Sequence, residues 1–330
     1  MMNYEKKPKI ELHLHLDCSL SFEVVKKINP AITPEEYKKS FIAPLKCNDL
    51  ADYIKRAAKG FELMQTKEQL RLVTFDLFEQ LKADNVIYAE IRFAPLLHTT
   101  KGLSPEEVVK YVNQAVEECI EKYGIEAGII LCTLRHYSEE QSMATVELVK
   151  KYKGTNIVGF DIAADEAGFP IDNHIKAFEF AKKNNLKCTA HAGEAKGSDS
   201  MWETIKNFHP LRIGHGVRCI EDEALLLFLK EKKLHLEVCP TSNIQVDVFD
   251  KIENHSLDKI YNYGISMSVN TDARAISNVT LAEEYQLLSK TFKWSKQHFK
   301  KCNLEAIEHS FAAESLKKIL RLKIEKAYQD

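Results

Sequence analysis

Glu11-Leu12-His13-Leu14-His15-Leu16-Asp17 alternates strictly between polar and apolar side chains. Successive side chains of a strand point to opposite faces, so His13, His15 and Asp17 share one face and the three leucines share the other. The leucines call for a packed layer. The opposite face carries two imidazoles, which are costly to bury unless something compensates them. Hydrogen-bonded core histidines would be one solution; for a pair on one strand, coordination of a metal ion is the better one.

Outward from this strand the chain keeps a rhythm. Eight short apolar runs, at 10–15, 86–93, 128–134, 157–161, 187–191, 212–215, 234–238 and 266–270, alternate with longer amphipathic stretches. Most are rich in Ile, Val, Leu and Cys, as strands buried on both faces should be. Ser104-Pro105-Glu106-Glu107 supplies an N-cap, a first-turn proline and acids for the helix dipole. Apolar residues from Val108 to Ile120 follow at helical spacing, and Gly124 ends the segment. The stretch after Ser138 repeats the scheme, with Gly154 as its stop. Strand–helix alternation predicts parallel strands with helical crossovers, and eight of them close a (β/α)8 TIM barrel; an open doubly wound sheet is the competing α/β architecture.

Residues 16–85 are too many for a simple crossover, and helical patterns occupy 50–63 and 67–82. They predict a helical insertion after the first strand, lying over one mouth of the barrel as a lid. The residues after Val279 predict extra C-terminal helices. No linker or low-complexity tract interrupts the chain, so 1–330 reads as a single domain.

Composition sets the class. Of 330 residues, 45% are apolar and 28% charged, which excludes disordered and fibrous chains. A net charge of -2 offers no positive field for nucleic acid or anionic lipid. No window of 18 apolar residues spans a membrane, and the N-terminal MMNYEKKPKIELHLHL lacks the apolar core of a signal peptide. The eight cysteines form no C-x-x-C pair, and several, such as Cys132 and Cys239, sit in apolar runs. They read as buried free thiols in a reducing compartment, and the expected location is cytoplasmic. The oligomeric state is left open.

In such a barrel the C-terminal strand ends converge on the face where active sites sit. The fifth run leads into His191-Ala192-Gly193-Glu194, the sixth into Gly214-His215-Gly216 and the eighth into Asn270-Thr271-Asp272. Any one of these alone could be a satisfied histidine or a capping aspartate. All of them joining His13 and His15 make a set of N and O donors that suits Zn2+. The H-x-E and P-C-x-x-C signature of the nucleobase deaminases is absent, since Cys239-Pro240-Thr241-Ser242 lacks the second cysteine. H-E-x-x-H is absent too, which argues against a thermolysin-type peptidase.

HLHLDCSL, HAGE, GHG, SNIQ and NTD, in this order and spacing, resemble the adenosine deaminase family of the amidohydrolase superfamily. YAEIRFAPLL at 88–97 and ADEAGFP at 164–170 also look like family blocks, and the resemblance runs from about residue 8 to 320. It implies a (β/α)8 barrel with one zinc, bound by His13, His15, His191 and Asp272. A binuclear relative would need a carboxylated lysine near the end of the fourth strand, where Val158-Gly159-Phe160-Asp161-Ile162 has none. The implied reaction is hydrolytic deamination at C6 of a purine nucleoside, a small-molecule substrate. Adenosine and 2′-deoxyadenosine are expected; adenine, a modified adenosine and a non-catalytic nucleoside-binding barrel are the alternatives. By the same resemblance Glu194 protonates the ring nitrogen, His215 orients the attacking hydroxide, and Asp272 binds metal and holds the water. Asp17 contacts ribose hydroxyls or, alternatively, orders His15. A backbone N–H in the stretch Ala164-Asp165-Glu166 contacts purine N3, and His15 borders the substrate.

Three positions depart from the pattern. Cys18 and Ala164 stand where the family often has glycine, and Ala273 stands where many members carry an acid that binds N7. Ala273 cannot make that hydrogen bond. The neighbouring Arg274 is expected to pair with a surface carboxylate, the alternative being recognition of an anionic substituent.

Overall fold

A computed structural model describes residues 4–329. Eight parallel strands form the centre: β1 (Lys9–His15), β2 (Val86–Phe93), β3 (Glu126–Leu134), β4 (Ile157–Ala163), β5 (Thr189–Ala192), β6 (Arg212–His215), β7 (His235–Val238) and β8 (Met267–Val269). They pair in the orders β1-β2-β3-β4 and β5-β6-β7-β8. Parallel bridges between Phe160 and Cys188 and between Leu14 and Asp272 join the two halves. At the second seam β8 is short, and a side chain completes the pairing: Asn270 Oδ1 accepts from Leu12 N (2.8 Å) and His13 N (3.2 Å). The ring excludes the open doubly wound alternative.

The predicted runs fall on the strands with ends shifted by one or two residues, and 86–93 and 212–215 coincide with β2 and β6. The helix Pro105–Tyr123 begins at a capping box of Ser104 and Glu107 and ends at Gly124, whose φ of 66° suits a residue without Cβ. The helix Glu139–Lys151 ends at Tyr152, two residues before the expected Gly154.

The insertion holds five helices: Phe22–Ile28, Pro34–Phe41, Leu50–Ile54, Ala57–Glu62 and Lys67–Ala83. The single helical pattern at 50–63 is broken into two short pieces at Lys55 and Arg56. The segment lies over the C-terminal mouth, where Leu50, Tyr53, Ala57 and Phe61 face the strand-end residues across a cavity. Backbone hydrogen bonds latch it there, from Ala43 N to Ile276 O (2.8 Å) and from Cys47 N to Gln245 O (2.7 Å). Tyr53 OH adds a 2.7 Å bond to Ser277 Oγ. The tail forms the helices Leu281–Phe292, Lys296–His309 and Glu314–Ala327. Among the described residues no helix is long and apolar enough to cross a membrane. All eight cysteines are free, seven of them buried and Cys18 half-buried.

Candidate metal centre and active site

His13 and His15 end β1, His191 lies in β5 and Asp272 follows β8. Asp272 N donates to His13 O (3.0 Å) and His15 N to Asp272 O (2.7 Å), so the main chain clips the carboxylate beside both imidazoles. His15 Nε2 stands 3.2 Å from His191 Nε2 and 3.4 Å from Asp272 Oδ1, and His13 Nε2 stands 3.2 Å from Asp272 Oδ1. Two ligands about 2.0–2.1 Å from one tetrahedral ion lie about 3.3–3.4 Å apart. These gaps fit a shared ion. His13 Nε2 is also buried without a hydrogen-bond partner, an arrangement that a metal would relieve. His215 offers a further nitrogen: donor atoms of His13, His191, His215 and Asp272 lie within 4.8 Å of one another.

The far sides of two rings are fixed by carboxylates. His13 Nδ1 is 2.8 Å from Glu237 Oε2, and His191 Nδ1 is 3.1 Å from Asp161 Oδ2. An ionised carboxylate only accepts, so each ring carries its proton on Nδ1 and aims the Nε2 lone pair at the cluster. Arg92 bridges the two acids, at 2.7 Å from Glu237 and 2.8 Å from Asp161, and Arg212 Nε holds Glu237 at 2.5 Å. Burial would raise both acids, but their charge and hydrogen-bond partners outweigh it. Arg92 and Arg212 hold Glu237, and His191 with Arg92 hold Asp161, well below the usual carboxylate range.

This charged cage fills the barrel interior, and the sequence reading gave its residues no role. It left a signal, since Tyr88, Glu90 and Arg92 alternate along β2 and share its inward face.

Glu194 sits in the loop after β5, and that loop is held by Glu166. The Glu166 carboxylate accepts from the backbone N–H groups of Gly193 (2.8 Å), Glu194 (3.0 Å) and Lys196 (3.0 Å), and from Ser200 Oγ (2.6 Å). Burial first, then the charges of Asp272 and Glu166, push the Glu194 carboxyl well above its ordinary range. Asn243 Nδ2 donates to Glu194 Oε1 (2.8 Å), and Ser242 Oγ donates to Asp272 Oδ2 (2.7 Å). Sequence reasoning quoted SNIQ without assigning either partner, and missed Glu166.

Close packing shapes the same loops. A side chain at Gly214 would meet the His13 ring at 2.8 Å. His215, Asp272 and Ala164 hold φ of 62°, 64° and 78°, the left-handed region. Each costs of order 1–3 kcal/mol, a strain typical of functional sites. Ala164 thus keeps a glycine-like backbone despite its Cβ.

The strand ends open into a cavity of about 200 Å³ beneath the insertion. His15, His191, Glu194 and Asp272 border it on one side, and Leu50 and Phe61 on the other. Cys18, Ala164 and Ala273 are on its wall; Ala273 packs with Leu50, Tyr53 and Ile276 in an apolar cluster. No lysine or arginine lines the cavity among the described residues.

Asp17 borders the cavity and accepts from Ala94 N (3.3 Å), but stands 4.0 Å from His15 Nδ1, too far to order that ring by a hydrogen bond. Arg274 does not face the surface. It is buried between Glu11 (2.6 Å) and Asp84 (2.9 Å), because the turn after Asp272 carries it back into the barrel wall. It neither meets a surface carboxylate nor lines the cavity.

The comparisons agree with this geometry. An adenosine deaminase of Clostridium perfringens (strain ATCC 13124) is 37% identical over 334 residues, covering 98% of this chain and 99% of that one. Among solved structures, adenine deaminase from Arthrobacter aurescens superposes with a TM-score of 0.89 at 26% identity, covering 97% and 98% of the two chains. An amidohydrolase from B. ambifaria with bound Zn shares the fold, with a TM-score of 0.90 at 20% identity over 98% and 91%. Residues 8–327 match the family described as Adenosine deaminase. With the barrel, the His/Asp cluster and full-length relatives in agreement, the chain belongs to the adenosine deaminase family.

Proposed function

We propose that the protein hydrolyses adenosine and 2′-deoxyadenosine to inosine and 2′-deoxyinosine, releasing ammonia, with one Zn2+ held by His13, His15, His191 and Asp272. The observation that carries this reading is the convergence of those four donors at ligand spacing beside a buried carboxyl, Glu194, at the edge of a cavity. When bound, the ion supplies a water that ionises near neutral pH.

The protein's own groups do the rest. Glu194, held protonated, delivers its proton to the ring nitrogen beside C6, so that the ring accepts the electron pair displaced by attack. Asp272 holds the attacking oxygen, and His215 faces it from the other side. The new C–O bond replaces the C–N bond, and the amino group leaves as ammonia. Asp17 and the Ala164 backbone, both on the cavity wall, are assigned to the ribose hydroxyls and the purine edge, and His15 borders the sugar.

The absence of cations from the wall supports a neutral nucleoside over a nucleotide. The likeness to an adenine deaminase keeps adenine as the second substrate to screen. We read residues 1–330 as one catalytic unit. Eight free thiols support a cytoplasmic location.

The test is a turnover screen of adenosine, 2′-deoxyadenosine, adenine and N6-methyladenosine, with metal analysis of the same sample. Expected are one zinc per chain and fastest turnover of the two nucleosides. Adenosine left intact by zinc-replete protein refutes the proposal, and adenosine binding without ammonia release points to a binding barrel instead.

A further inference from the structure

One buried histidine has no part in the chemistry above. His255 is 2% exposed, ends the turn Ile252–Asn254 and does not line the cavity. Its bonding has a definite polarity. Leu257 N donates to His255 Nδ1 (3.0 Å), and a backbone N–H can only donate. Burial lowers the imidazole to about 3, so the ring is neutral and its one proton lies on Nε2. That N–H faces Asn243 Oδ1 at 3.2 Å.

The contact decides which end of the amide is oxygen. Asn243 Nδ2 must then point the other way, where it donates to Glu194 Oε1 (2.8 Å) and to His215 Nδ1 (3.1 Å). His215 Nδ1 and Glu194 Oε1 stand 3.2 Å apart, and with the Asn243 amide so oriented its Nδ2 serves both, which makes His215 Nδ1 an acceptor. A ring nitrogen that accepts carries no hydrogen, so the ring proton of His215 lies on Nε2, the nitrogen left to face the metal centre. Glu194 Oε1 is likewise an acceptor, which leaves Oε2 to carry the carboxyl proton.

We infer that His255 and Asn243 are positioning residues whose hydrogen bonds hold His215 as the Nε2–H tautomer and reserve Oε2 of Glu194 for proton donation. The inference rests on the roles proposed above for Glu194 and His215. It also sorts the crowded donor set: an Nε2–H has no lone pair to give, so His215 donates to the attacking oxygen while the other three imidazoles ligate.

Three variants and one spectrum test it. Long-range 1H–15N spectra of zinc-loaded, histidine-labelled protein read the His215 tautomer directly, and Nε2–H is expected. His255→Leu removes the group that orients Asn243. It should lower kcat about 10–100-fold, the order of cost of a buried polar group left without its partner, with KM for adenosine within about threefold. His255→Gln keeps a side-chain N–H and should restore most of kcat. Asn243→Asp keeps the size but loses both donors, and should shift the His215 signals away from Nε2–H.

A wild-type His215 found as Nδ1–H overturns the inference, as does His255→Leu with wild-type kcat. If His255→Leu does not fold, the wild-type spectrum and the Asn243→Asp spectrum decide the matter. Failure of the wild type to deaminate adenosine would overturn the proposed function but leave the tautomer measurement standing.

Discussion

Replacing Glu194 by glutamine isolates one proton. The amide oxygen can still accept from Asn243 Nδ2, which donates at 2.8 Å, and the Glu166 clamp on the 193–196 backbone is untouched. Ligand geometry should survive, because no ligand contacts the lost proton. What disappears is the acid, and losing a general acid costs about 10²–10⁴ in rate, or about 3–5 kcal/mol of barrier. The stability effect runs the opposite way. The folded carboxyl is raised above its unfolded value by burial and by Asp272 and Glu166, so the wild type loses stability as pH rises from the unfolded carboxyl range toward the folded pKa. Glutamine has nothing to ionise and escapes that loss. The variant should therefore bind one zinc, melt no lower than wild type at neutral pH, and turn over adenosine at least about a hundredfold more slowly. Steady-state kinetics, metal analysis and thermal unfolding on one preparation give all three. A zinc-replete variant with kcat within about tenfold of wild type would refute the proton-donor assignment.

Three further outcomes follow from the buried charges. Asp161→Asn removes the negative charge that faces His191 Nδ1–H and leaves one oxygen for both His191 and Arg92, and should weaken zinc binding about 10–100-fold in chelator competition; unchanged affinity would show that the cage does not tune the ligand. Arg274→Met leaves Glu11 and Asp84 without their shared cation, and should cost about 3–5 kcal/mol. At about 2.1 cal/mol/K per residue this lowers Tm by about 4–7 °C, and an unchanged Tm would contradict it. Glu284 is fully buried with Oε2 unpartnered, and burial raises it to about 8. Stability to urea should thus fall as pH rises from about 4.5 to about 8 and level off above, and Glu284→Gln should flatten that slope; identical slopes would remove Glu284 as the cause.

The alternation in 11–17 and the eightfold rhythm of strands and helices were enough to predict eight parallel strands with helical crossovers and the direction in which His13 and His15 point, because strand periodicity and apolar patterning are local properties of the chain. Cap residues at Ser104 and Gly124 marked helix ends for the same reason. Closure into a ring rather than an open sheet was seen only in the structure. The interruption at Lys55 and Arg56 was not legible, since the helical pattern of 50–63 runs on across it. Nor was the burial of Arg274, whose partners Glu11 and Asp84 lie far away in sequence. The cage of Arg92, Asp161, Arg212 and Glu237, the Glu166 clamp and the path from His255 through Asn243 all depend on side chains from different strands and loops meeting at hydrogen-bond distance. A linear pattern states which groups are available; only the closed ring decides which donor faces which acceptor, and so which nitrogen of each histidine carries its proton.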